Sequence, residues 1–161
     1  MDTALQSLLY AADDHYLSDA DLDRFHNETQ ALAERIEAYE YIRDRELAIL
    51  QPAADYLTEE FLGSDSQLLE RTVVYWLSVL RYAAMAMLLD NPEYLNRRVL
   101  EWLPTVVEVY QLQEFVLAFY QLLLEQLKSD LSPEQVALLK PYLEAVYTTL
   151  LQTKTTLQKI A

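Results

Sequence analysis

Residues 66–89, SQLLERTVVYWLSVLRYAAMAMLL, constrain the fold more than any other stretch of the chain. At helical spacing Leu69, Val73, Trp76, Leu80, Ala83 and Met87 form one apolar stripe. Val74, Leu77, Val79, Tyr82 and Met85 carry apolar surface round the remaining faces. A helix that is apolar nearly all round has to be covered by neighbours on several sides, or by lipid. Lipid is the poorer solution, because Arg81 stands mid-run with Ser78 nearby, and Glu70 and Arg71 close one end. A central Arg costs roughly 2.5–3.5 kcal/mol on insertion scales, which an apolar run of about 17 residues hardly offsets. The stretch therefore reads as the central helix of a soluble core, with no membrane insertion.

The rest of the composition agrees with a helical core. The chain has 161 residues, 52% of them hydrophobic, which is enough for a single domain with its own interior. One glycine, Gly63, and five prolines leave little material for the turns of an all-β fold. The expected class is all-α, with a helix share of about 75–80%, well above that of an average globular domain. A formal charge of −14 argues against nucleic acid and anionic membrane surfaces and favours neutral or basic partners. No cysteine is present, which excludes a disulfide framework, a thiolate zinc site and a thioether-linked cofactor. The opening MDTALQSLL has neither a basic n-region nor a long apolar run, so no signal peptide is expected and the expected location is cytoplasmic.

In chain order, a short amphipathic helix is predicted over Thr3–Ala11, then a break, then a helix capped by Ser18 with Asp19 and Asp21 in its first turn. Leu22, Phe25, Thr29, Leu32, Ile36, Tyr39 and Ile42 give that helix its apolar side, and Glu34, Arg35, Asp44 and Arg45 its solvated side. Pro52 ends or kinks it, and a shorter helix follows over Asp55–Leu62. Gly63-Ser64-Asp65 is a turn, with Ser64 or Ser66 capping the central helix. Asn91-Pro92 is a clean restart; the helix Glu93–Tyr110 is interrupted at Pro104, and Leu112–Leu127 is strongly apolar. Ser132-Pro133-Glu134-Gln135 starts the last helix, which kinks at Pro141. Seven or eight helices with short connections around one buried helix suit a globin-like pack better than a four-helix bundle.

Particular residues now carry a resemblance. The block LRYAAMAMLLDNPEYLNRRVLEWL (80–103) resembles a Leu-Arg-Tyr run followed without a gap by a Pro-x-x-Leu-x-x-Arg-x-Leu-x-x-Leu restart, as in the phycobiliproteins, the globin-fold light-harvesting subunits of cyanobacterial phycobilisomes. HYLSDADLDRF (15–25) and PYLEAVYTTL (141–150) are similar to two further family blocks. The resemblance implies an all-α, globin-like (phycocyanin-like) fold over 1–161, with 1–30 as an N-terminal helical extension. In the family, a cysteine on the helix matching 66–89 bonds the bilin, an arginine two residues later holds a propionate, and an aspartate one further on bonds the pyrrole nitrogens. Aligned on Leu80-Arg81-Tyr82, those positions are Thr72, Val74 and Tyr75. All three ligands are missing. The chain is therefore similar to the non-pigmented relatives, among them the bilin biosynthesis-associated globins.

What remains of a tetrapyrrole pocket would consist of Arg71, Thr72, Tyr75, Trp76, Arg81 and Tyr82. A guanidinium fork suits a carboxylate, so Arg71 or Arg81 could hold a tetrapyrrole propionate. Either could equally pair with a carboxylate of a packing helix or cap a helix C-terminus. His15 and His26 lie far from 66–110, where an axial haem ligand would be expected. Asp19, Asp21 and Asp23 fail the calcium-loop register, with Arg24 at the glycine position and Gln30 at the glutamate position. No catalytic constellation is visible, and no metal site. The expected function is that of a non-catalytic binding protein serving phycobilisome assembly or turnover, or bilin metabolism. It would act by docking on phycobilisome or bilin-synthesis proteins or by holding a tetrapyrrole transiently; the alternative is a non-covalent haem or bilin sensor. The family's N-terminal pair packs on a second subunit, which implies a homodimer through Leu5, Leu8, Leu9, Leu17, Leu22 and Phe25.

Overall fold

The protein is represented by a computed structural model that describes the backbone of residues 3–160 and the side chains of residues 4–153. Among them 88% of the chain is helical and no strand occurs. Seven α-helices run in order: α1 (Thr3–Asp14), α2 (Asp19–Glu60), α3 (Ser66–Leu89), α4 (Pro92–Leu95), α5 (Leu103–Val109), α6 (Gln113–Asp130) and α7 (Pro133–Ile160). A π-helical turn, Asn96–Leu100, joins α4 to α5. The organising stretch is α3, which α2, α6, α7 and the α4 segment surround. Trp76, Leu80 and Ala83 are buried, as their apolar stripe requires, together with Leu69, Val79, Ala84, Ala86 and Met87. The architecture is globin-like.

Helix starts follow local chemistry. Ser18 and Asp21 form a reciprocal capping box: the Ser18 hydroxyl accepts from the Asp21 N–H at 3.3 Å, and the Asp21 carboxylate accepts from the Ser18 N–H at 3.1 Å. Ser132 and Gln135 repeat the device at α7. Asn91 caps α4 with Pro92 in its first turn. The cap of α3 is Asp65, not Ser64 or Ser66; its carboxylate accepts from the Gln67 N–H at 2.9 Å, and a charged acceptor suits the dipole better than a hydroxyl.

Continuation of α2 through Pro52 is part of the reason that the helix share exceeds the sequence expectation. α2 runs on through Pro52 to Glu60, and α7 runs through Pro141, so neither proline ends a helix. Each removes one backbone bond, and tertiary packing on both sides of the site holds the helix together. Pro104 behaves otherwise. Its ring excludes the Leu100 carbonyl one turn back, so the chain leaves the helix at residues 101–102 and restarts with Pro104 inside the first turn of α5, where a missing N–H costs nothing. The break thus falls before Pro104. The Glu101 N–H reaches back to the Asn96 carbonyl at 3.1 Å, which closes the π turn.

The apolar side of α2 also differs from the simple reading. Arg35, assigned to solvent, is buried, and Ile36, assigned to the core, is exposed. The buried face runs Arg35, Ala38, Ile42, Ile49, Ala53 and Leu57. Arg35 forms an ion pair with Asp90 (3.4 Å), the residue that ends α3 in the left-handed conformation at φ 47°. The Tyr142 hydroxyl of α7 donates to the same carboxylate at 3.3 Å. One charged node therefore ties α2, the α3 terminus and α7 together. Burial, then the neighbouring Asp90 charge and its hydrogen bond, pushes the Tyr142 hydroxyl up to about 12. Because the folded value lies above the ordinary tyrosine value, the stabilisation is intact below about pH 10 and is lost as pH rises toward the folded value. Denaturation midpoints of the parent and Tyr142→Phe should converge between about pH 10 and pH 12; parallel curves would show that the hydroxyl does not contribute in this way.

Candidate functional site

The six residues named for a tetrapyrrole pocket all lie on α3, but their side chains reach three different surroundings. Trp76 belongs to the core: its ring stacks on Phe119 and tilts against Tyr120, and its indole N–H donates to the Val116 carbonyl at 3.1 Å. Thr72 is fully buried as well, and its hydroxyl donates to the Leu68 carbonyl at 2.9 Å within α3. Tyr75 meets the Trp102 ring edge-on with 6.1 Å between centroids. Arg71 lies over the Tyr110 ring at 4.2 Å, and Tyr75 followed by Tyr110 favours its charged form. Arg71 and Tyr75, with Gln67, Glu70 and Val74, line a surface depression of about 490 Å³.

Arg81 and Tyr82 face another way, into a cavity of about 350 Å³ between α2, α3 and α4. Its floor is Ile42, Leu80, Ala84 and Met85, and Tyr39, Tyr82 and Tyr94 form aromatic walls. Arg43 and Arg81 stand at the rim. Arg98 lies over the outer wall, 5.7 Å from the Tyr94 ring centroid. Two guanidinium groups and the Glu46 carboxylate therefore line one cavity of a chain with formal charge −14. Arg81 is held by Glu46 of α2 through two bonds of 2.7 Å, from Nε and from one terminal nitrogen. That is the packing-helix carboxylate named as one option for this arginine. Arg43 pairs with the adjacent Asp44 at 2.7 Å.

The residues named for an interface sit on the N-terminal pair, where α1 packs against α2. Leu8 is buried within the chain itself and seals the pair. Leu5 and Leu17 are half-buried, whereas Leu9, Leu22 and Phe25 are exposed, together with Tyr10 and Tyr16. Within residues 4–34 the acids Asp13, Asp14, Asp19, Asp21, Asp23, Glu28 and Glu34 face one basic side chain, Arg24. The pair is thus an acidic arm with an uncovered apolar face. His15 and His26 are both exposed on it.

Sequence reasoning missed Glu46, Tyr39, Arg43 and Tyr94 as cavity residues and Arg35 as a buried cation. Arg35 had a usable signal, since it precedes Ala38 and Ile42 at three and seven residues, the spacing of one helix face. The other four depend on which faces of α2, α3 and α4 meet, and no local pattern specifies that.

An all-α globin-like pack with a long buried helix and an N-terminal helical arm defines the class of protein. A family model described as phycobilisome protein matches residues 8–150, and the chain belongs to that family. Members of the family are structural light-harvesting proteins rather than enzymes. No curated protein matches the chain.

The Arg81–Glu46 pair gives a direct test of the cavity wall. A double-mutant cycle with Arg81→Ala and Glu46→Ala should return a coupling of about 1 kcal/mol, the upper part of the range for partly exposed pairs because the contact is bidentate. Chemical denaturation of the four proteins measures it. A coupling indistinguishable from zero would mean that the wall is not held by this pair.

Proposed function

We propose that the chain is a phycobilisome-family globin without a covalent chromophore that works by binding other proteins and catalyses no reaction. Its setting would be phycobilisome assembly or turnover, or bilin metabolism, in the cytoplasm. Thr72 carries this reading. It stands where the resemblance puts the attachment cysteine, it is fully buried, and its hydroxyl is engaged inside α3. A thioether needs a thiol, and the sequence contains none. Tyr75, at the position of the family's aspartate, cannot give a protonated tetrapyrrole its counter-charge, and it is braced against Trp102. Transient tetrapyrrole binding is the second mode, and a non-covalent haem or bilin sensor the alternative function. Arg71 is the residue that favours them, because it borders an open depression.

The reading includes a homodimer. Leu9, Leu22 and Phe25 leave an apolar face on the arm that a monomer would keep in water. The acidic arm of one copy complements the Arg43 and Arg81 guanidinium groups at the cavity of another, and a twofold axis makes the contact reciprocal. Two measurements test the proposal. Purified from cells that also make bilins, the protein should be colourless and should give no zinc-enhanced fluorescence on a denaturing gel; a fluorescent band would establish a covalent bilin and overturn it. Light scattering should give a dimer that Leu22→Asp with Phe25→Asp converts to a soluble monomer. A monomeric parent at high micromolar concentration would remove the dimer from the account.

A further inference from the structure

A second groove lies on the far side of α4 from the arginine-rimmed cavity. It runs between the α4 and π-turn segment and the middle of α7, encloses about 590 Å³, and is lined by Leu95, Leu100, Leu138 and Ala145 among others. Its polar lining includes two carboxylates, Asp90 and Glu93, and no cationic side chain. Asp90 and Glu93 keep 60% and 57% of their side chains exposed while pairing with Arg35 and Arg97. Arg97 and the Asn96 amide hold Glu93 below the usual carboxylate range, so its charge persists into acid. The groove also contains Pro141. Proline has no N–H, so the Ala137 carbonyl one turn back, on the same wall, lacks its α-helical donor. The two side-chain donors of the lining, the Tyr142 hydroxyl and the Asn96 amide, are already bonded to Asp90 and Glu93, so apolar floor, carboxylate rim and a carbonyl without its helical donor leave a surface with acceptors to spare.

We infer that this groove docks a basic amphipathic helix of a partner protein. The α7 wall from Ala137 to Ala145 spans about 12 Å, two turns of a helix laid alongside it. A helix of that length presents three or four apolar anchors at i, i+3, i+4 and i+7 spacing. Ala137, Pro141 and Ala145 are all exposed and small, which lets such a helix approach closely. Lysine or arginine flanking its apolar stripe meets the exposed sides of Asp90 and Glu93 and adds donors to those that Tyr142 and Asn96 already spend there. The rim discriminates against acidic helices, including the N-terminal arm of a second copy, by like-charge repulsion. This inference does not depend on the proposed dimer, because the two surfaces share no lining residue.

The test uses the full chain and a synthetic sixteen-residue amphipathic helix of leucine and lysine as probe, followed by amide NMR shifts. Saturable shifts should concentrate in residues 92–100 and 137–145. Ala145→Trp, which fills the groove from an exposed position, should weaken binding about tenfold, and Gln121→Trp, exposed on α6, should leave it unchanged. Glu93→Lys should weaken binding and flatten its salt dependence. Shifts centred on the acidic arm at residues 13–28, or equal affinities for the two tryptophan variants, would overturn the inference. So would concentration-dependent shifts at 92–100 and 137–145 without the probe, which would assign the groove to a second copy of the chain.

Discussion

The Trp76 indole N–H meets the Val116 carbonyl at 3.1 Å in the middle of the protein, and the packing of the chain is arranged around that contact. A buried indole needs an acceptor, and an acceptor 40 residues away in sequence fixes both the depth and the rotation of α3 against α6. With Trp76 stacked on Phe119 and tilted on Tyr120, and Tyr120 stacked in turn on Tyr147, α7 is drawn into the same aromatic cluster. Rotation of α3 is then no longer free. Its Thr72 face goes inward, its Arg71 face goes to Tyr110, and its Arg81 face goes to Glu46 of α2.

That fixed rotation links the fold to the functional reading. In a relative that carries pigment, the face bearing Thr72 and Tyr75 would have to admit a chromophore. Here side chains of the chain itself occupy part of it: Trp102 against Tyr75, Tyr110 against Arg71, and the Thr72 hydroxyl bonded within its own helix. Surface available for recognition includes the depression beside Arg71, the cavity lined by Arg43 and Arg81, the acidic arm and the groove of α7.

Much of this was legible in the residues. The apolar run 66–89, the capping signals at Ser18, Asn91 and Ser132, and the scarcity of glycine are local features, and local physics decided them. The matched block 80–103 carried the family. What escaped has a common cause. Arg35 reads as solvated because charge usually does, and only tertiary packing supplies Asp90 to make its burial tolerable. Pro52 reads as a helix end or a kink because the cost of one lost backbone bond is visible in sequence, while the packing that offsets it is not. Arg81 was identified, but its partner Glu46 lies 35 residues away and depends on how α2 crosses α3. The pocket residues were chosen for sharing one helix, yet a helix directs neighbouring side chains to different sides, so Trp76 and Arg81 cannot line one site.

We propose that the face matching the family's chromophore site, where Trp102 braces Tyr75 and Tyr110 braces Arg71, holds no tetrapyrrole tightly. Titration of the purified protein with biliverdin, and separately with haem, followed by visible absorption, tests it most directly. The account predicts spectra that remain those of the free pigment through a molar excess of protein. A shifted band that saturates at one pigment per chain and is lost in Arg71→Ala would contradict it.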